Sequence, residues 1–270
     1  MTRLSLSRAW DECVRILRRD GSLLATVALA LIVLPEIIFA VVGTPIGANA
    51  TSIAKFVYVG VILLGFVANI ALNRLAIGPS VTVGTAIREA FIRFTSVFVA
   101  FVIVILGMFI VAVLIAVLLG ATGVARLPTS AGQPPPASLV LLLLTLVVLV
   151  FAMFQLIFPI SAAETGNPIK LLTRSWQLAK GQYWRLLAYT VTIFVGFIAV
   201  IVACQFGIGS MVVLLLGRPN PGSLAALILG LVTGVVQATY TVVISVMLAR
   251  IYLQLAGRDG AQVSVPSSGI

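Results

Sequence analysis

The sequence contains no histidine, only two cysteines, and only seven acidic residues in 270. Each scarcity removes a class of chemistry. Without histidine, the commonest general base and the commonest neutral metal ligand are missing. The acids stand singly apart from Asp11-Glu12. On a helix these two neighbours point about 100° apart, so no carboxylate pair is set up for acid–base work. Cys13 lies in a charged segment and Cys204 inside an apolar run. A disulfide needs Cα atoms within roughly 7 Å, and these different depths predict two separate thiols. Neither a phosphate-cradling glycine loop nor a dinucleotide fingerprint occurs. The expectation is a protein that is not an enzyme, with no catalytic residues, no metal site and no cofactor.

Charge is scarce too. Only 9% of residues are charged, against about 25% in a soluble domain. Apolar residues make up 61%, and the mean hydropathy is +1.22. The net charge of +10 comes from 17 Lys and Arg against 7 Asp and Glu. These bases sit between long apolar runs, which reads as topology and headgroup signals and not as nucleic-acid binding.

A hydrocarbon core about 30 Å thick needs about 20 apolar residues per helix. Six stretches qualify: 21–43, 53–72, 95–120, 138–160, 186–216 and 224–248. The fold class expected is an all-α, polytopic membrane protein. The alternating polar residues of a barrel strand do not occur. The fifth run is long enough to tilt, to bend near Gly207 and Gly209, or to hold a re-entrant piece. Ala48-Asn49-Ala50 has the form of a signal cleavage site. The run before it exceeds the 7–15 residues or so of a signal core, so an uncleaved first span is expected.

Orientation follows from the bases. Arg3, Arg8, Arg15, Arg18, Arg19, Arg74, Arg88, Arg93, Lys170, Arg174, Lys180, Arg185, Arg250 and Arg258 fall on one side of a six-span chain. Lys55, Arg126 and Arg218 fall on the other. By the positive-inside rule the rich side, with both termini, is expected in the cytoplasm of a bacterial-type inner membrane. The outer connections 44–52, 121–137 and 217–223 read as loops, and the Gly/Ser-rich tail 256–270 as a disordered end.

Three cytoplasmic-side segments have helical amphipathic spacing and predict interfacial helices. Leu6, Trp10, Cys13, Val14 and Leu17 share a face in the first, and Ile87, Phe91 and Phe94 in the second. In the third, Asn167-Pro168 supplies an N-cap and a first-turn proline, Ile169, Leu172, Trp176 and Ala179 form the stripe, and Gly181 ends it. Such helices lie at headgroup depth, each cation contributing about 1 kcal/mol toward anionic lipid. The expected contacts are Arg15, Arg18, Arg19, Arg88, Arg93, Lys170, Arg174, Lys180 and Arg185, with Trp10, Trp176 and Trp184 as interfacial anchors. The plainer reading is that these helices pack beneath the bundle as a belt, and the two roles are compatible. Each segment precedes two spans, giving units 1–72, 73–160 and 161–255 in one membrane domain. Arg8-Ala9-Trp10 and Arg174-Ser175-Trp176 occupy similar places, and the middle unit lacks the tryptophan.

The stretch 164–185 carries a likeness. Glu164 follows the fourth span, then come Arg174-Ser175-Trp176, Lys180-Gly181 and Trp184-Arg185 before the fifth, and Leu34-Pro35 lies in the first. This pattern resembles the glycerophosphoryl diester phosphodiesterase membrane-domain family. The resemblance implies that family's membrane module without its hydrolase, because the separate metal-dependent catalytic domain would need histidine and acidic ligands.

Polar residues inside spans are few. Glu36 lies about 22 Å into the first run, and an intramembrane carboxylate is a functional candidate by default. Packing near Lys55 is its structural alternative, and Glu164 reads as a partner for Arg174 or Arg93. Asn69, Gln155, Gln205 and Gln237 suit interhelical hydrogen bonds or a polar cavity, and Ala112/Ala116/Gly120 and Gly230/Gly234 suit close helix contacts. The expectation is a non-enzymatic module that binds membrane lipids through anionic headgroups on the cytoplasmic leaflet, or a membrane-protein partner or second copy. The alternative is a small transporter or channel with Glu36 and the amides along its route.

Overall fold

The computed structural model describes residues 5–43, 51–78, 81–121, 137–164 and 166–257. Every regular element among them is helical: α1 (Leu6–Ala28), α2 (Leu34–Val42), α3 (Ser52–Ile77), α4 (Val83–Ala121), α5 (Ala137–Phe154), α6 (Ile157–Ala163), α7 (Pro168–Lys180), α8 (Tyr183–Cys204), α9 (Ser210–Leu216) and α10 (Leu224–Leu255). Six stretches are long and apolar enough to cross a membrane: Leu6–Val42, Ser52–Ile77, Val83–Leu118, Val140–Ala163, Tyr183–Leu216 and Leu224–Leu255.

Starts and interruptions have local causes. Ser5, Thr51 and Ser223 cap their helices by accepting from the backbone N–H of Arg8, Ala54 and Ala226. Pro35 lacks an N–H and crowds the carbonyl four residues back, and a π-helical turn at Leu29–Val33 precedes it. Pro159 does the same to Gln155, and there the fourth span breaks between α5 and α6. The fifth span, read as long enough to tilt, bend or hold a re-entrant piece, runs from α8 into α9 through a second π-helical turn at Gln205–Gly209.

All three amphipathic segments are helical, but only α7 stands apart. The first two run unbroken into their spans as α1 and α4. Ser5 N–H donates to Gln254 Oε1 at 3.1 Å, which brings the start of α1 and the end of α10 to one end of the bundle. Six alternating spans place the end of α3, the start of α4 and α7 there as well. We call this the basic end.

The packed core lies toward that end. It draws Ala9 and Cys13 from α1, Ala71 and Leu72 from α3, Leu156 and Ile160 from the fourth span, and Ala249 and Tyr252 from α10. Phe66 gathers the rings of Phe94, Phe98, Phe101 and Phe158 with centroids 5.0–6.4 Å away. Away from this cluster the third span is bare, and no residue of its most apolar stretch is buried. The Ala112/Ala116 row therefore forms no tight contact among the described residues.

The Gly230/Gly234 row does. A Cβ at Gly230 would sit 2.5 Å from Ala40 Cβ, and one at Gly234 would sit 3.2 Å from the Val33 backbone, so α10 crosses the first span backbone to backbone. At the far end of the bundle Gly217 and Gly222 have positive φ, and Gly222 N–H donates to Val41 O at 2.9 Å. Most of the expected loops 44–52 and 121–137, and tail residues 258–270, lie outside the described residues.

Candidate functional site at the basic end

The three amphipathic segments share a device that their hydrophobic spacing hides. In α1 the buried line is Ala9, Cys13 and Ile16, while Trp10 is 50% exposed. In α4 it is Ala86, Ala90 and Val97, while Phe91 is 53% exposed. In α7 it is Leu171, Ser175 and Ala179, while Trp176 is 48% exposed. Cys13 and Ala179 belong both to these buried lines and to the apolar stripes read from the sequence, whereas the stripes' rings Trp10, Phe91 and Trp176 face outward. Small residues let each helix approach the bundle closely, and the ring one position on is turned outward. Phe91 occupies in the middle unit the place of the missing tryptophan.

The Arg174-Ser175-Trp176 run docks α7 through three neighbouring side chains. Ser175 Oγ donates to Met153 O at 2.8 Å, reaching the carbonyls near the break before α6. The Arg174 guanidinium lies 3.7 Å from Glu164 Oε1, and the Trp176 ring meets Phe154 at 6.5 Å. Glu164 also accepts from Tyr252 Oη at 2.8 Å, which ties the turn before α7 to the last helix. Asn167 occupies the N-cap position of α7 but makes no side-chain capping bond.

Arg93, one of the residues expected at lipid headgroups, is engaged within the bundle. Its NH1 donates to Ser161 O at 2.5 Å and Ala162 O at 2.8 Å, closing the C-terminus of α6. Glu89 lies 2.7 Å from Arg74 and 3.7 Å from Arg93, so this guanidinium belongs to the packing of α3, α4 and α6. Between α4, α6 and α7 opens a cleft of about 370 Å³. Arg93, Ser96, Glu164 and Asn167 line it, with Ile92 and Leu171 as apolar walls. It offers one guanidinium, one carboxylate and neutral polar groups. Among the described residues no three His, Cys, Asp or Glu side chains converge on a metal position.

The chain belongs to the DUF7847 family. That family, described as a domain of unknown function, matches residues 4–255, nearly the whole helical part. No curated protein and no solved structure matches the chain.

The other predicted residues fall into two groups. Arg15, Arg18, Arg88, Lys170, Lys180 and Arg185 are exposed at the basic end, as is Trp184 at 77%. Arg19 lies there too but is held by Asp20, its NH2 2.7 Å from Oδ2. Away from that end, Glu36 is half-buried where the first span crosses α10. A Cβ at Gly234 would lie 3.3 Å from its Cβ, and no ion pair joins it to another described residue, Lys55 included.

The buried amides bridge helices. Ser245 Oγ donates to Asn69 Oδ1 at 3.3 Å, and Thr190 Oγ1 donates to Gln155 Oε1 at 3.1 Å. Gln205 instead lines a recess of about 20 Å³, roughly one water in size. Cys13 and Cys204 are both free thiols. Sequence reasoning missed Tyr252 and Gln254, polar residues in an apolar run whose partners are distant in the chain, and it named Ser175 only as part of a motif, without its bond to Met153.

Proposed function

We propose that the protein is a non-enzymatic membrane module of an inner membrane, whose basic end lies in the cytoplasmic leaflet and binds anionic phospholipid. The observation that carries this reading is the outward face of α7. Leu171, Ser175 and Ala179 are buried against the bundle, while Ile169 and Trp176 are 71% and 48% exposed beside exposed Lys170 and Lys180. A helix with one face on protein, one apolar face outward and a cationic flank suits the boundary between acyl chains and headgroups. Trp10, Phe91 and Trp184 add exposed rings at the same end. Arg15, Arg18 and Arg88 add charge there.

The test is purification with native lipids followed by mass spectrometry of what remains bound. The expected result is enrichment of anionic lipid over the bulk membrane. Replacing Arg88, Lys170 and Lys180 together by glutamine should lower it severalfold, since each cation contributes about 1 kcal/mol near an anionic surface. Wild-type protein that retains lipid in bulk proportions would refute the proposal.

A further inference from the structure

An open apolar groove of about 310 Å³ runs between α1 and α10. Gly21, Ala25, Leu29 and Val33 form one wall, Val235 and Thr239 part of the other. From Gly21 to Val33 it is roughly 18 Å long, about one leaflet of a hydrocarbon core about 30 Å thick. Its one polar side chain, Thr239, donates its hydroxyl to Val235 O at 2.8 Å, so the groove asks nothing polar of an occupant.

The mouth differs from the floor. Arg18 is exposed three residues before Gly21 and seven before Ala25, on the same face of α1. Arg19, beside it, is turned onto Asp20. We infer that this groove seats one acyl tail of an anionic phospholipid, with the lipid phosphate at Arg18. The inference rests on the reading that the basic end meets an anionic leaflet.

Lipid tails are as apolar as the groove, so the walls supply shape and the cation at the mouth supplies selection. A second helix fits less well. The small row of Gly21 and Ala25 gives way to Leu29, 55% exposed, which holds a rigid backbone off and lets a flexible tail pass.

The test uses full-length protein in phosphatidylcholine vesicles doped with a phosphatidylglycerol that carries a diazirine in its tail. After irradiation, the labelled peptides are mapped. Label is expected at Ala25, Leu29, Val235 and Thr239, reduced about fivefold by Arg18→Gln, the equivalent of about 1 kcal/mol. Gly21→Leu and Ala25→Phe, which fill the groove, should remove it. Nothing lies within 4 Å of a Cβ at Gly21, and leucine is the better helix former, so a Tm no lower than that of the wild type is expected of Gly21→Leu.

Label confined to other peptides would overturn the inference, as would equal labelling by a diazirine phosphatidylcholine. Chain-to-chain crosslinks abolished by Gly21→Leu would overturn it in favour of a second copy. Anionic lipid still enriched on purification while the groove stays unlabelled defeats the groove alone. Loss of that enrichment in the wild type defeats the function proposed above as well.

Discussion

The third and last spans are both long apolar helices, and they are used in opposite ways. Along α10, Gly230, Gly234, Ala238, Ser245 and Ala249 are buried. In Val83–Leu118, Ile105, Leu106, Phe109 and Ile110 are each more than half exposed. The third span is the more apolar of the two, but hydrophobicity alone does not decide packing, because in hydrocarbon a bare leucine loses nothing. Residue size does. Small side chains at helical spacing bring backbones into van der Waals contact and allow Ser245 to reach Asn69, whereas bulky ones keep a neighbour at a distance.

The contrast is broken most directly at the α2–α10 crossing. Gly230→Leu would drive a side chain into Ala40, 2.5 Å from where its Cβ must stand, and should lower stability by about 1–3 kcal/mol. A thermal melt in detergent that leaves Tm unchanged would show the crossing is not tight. Ser175→Ala removes one buried bond to Met153 O and should cost about 1 kcal/mol, with faster proteolysis within α7 as the local readout. Phe109→Ala truncates a ring that is 65% exposed and should change stability by less than about 0.5 kcal/mol in the same melt. A larger loss there would mean that the third span packs against something outside this chain.

Much of this architecture was legible beforehand. The six spans followed from the length of the apolar runs, the stop after α7 from Gly181, and the close contact of α10 from Gly230/Gly234. The faces of the amphipathic helices were not. Hydrophobic spacing assumes a single apolar face, and α7 has two, one against protein through Leu171 and Ala179 and one turned outward through Ile169 and Trp176. Side-chain size distinguishes them: Ala9 and Ser175 pack inward while the rings beside them turn outward. The bonds of Arg93 are hidden from the sequence for a related reason. Charge composition does not reveal that carbonyls left open at the end of α6 lie within its reach. Glu164 was expected to meet Arg174 and does so at 3.7 Å, but its bond to Tyr252 spans 88 residues and no local pattern announces it.

The bond from Ser5 to Gln254 joins residues 249 apart, and α10 lies against α1, α2 and α3 alike. α10 is made after the other described helices, so the first spans wait in the bilayer without it, and Cys13, whose Sγ lies against Val243 O, waits without that neighbour. Closing so long a loop is slow. During that interval the nascent chain is an unfinished bundle, recognisable to the machinery that inserts or degrades membrane proteins. A chain cut short before Leu224 would stay in that condition, however well its earlier helices had entered the lipid.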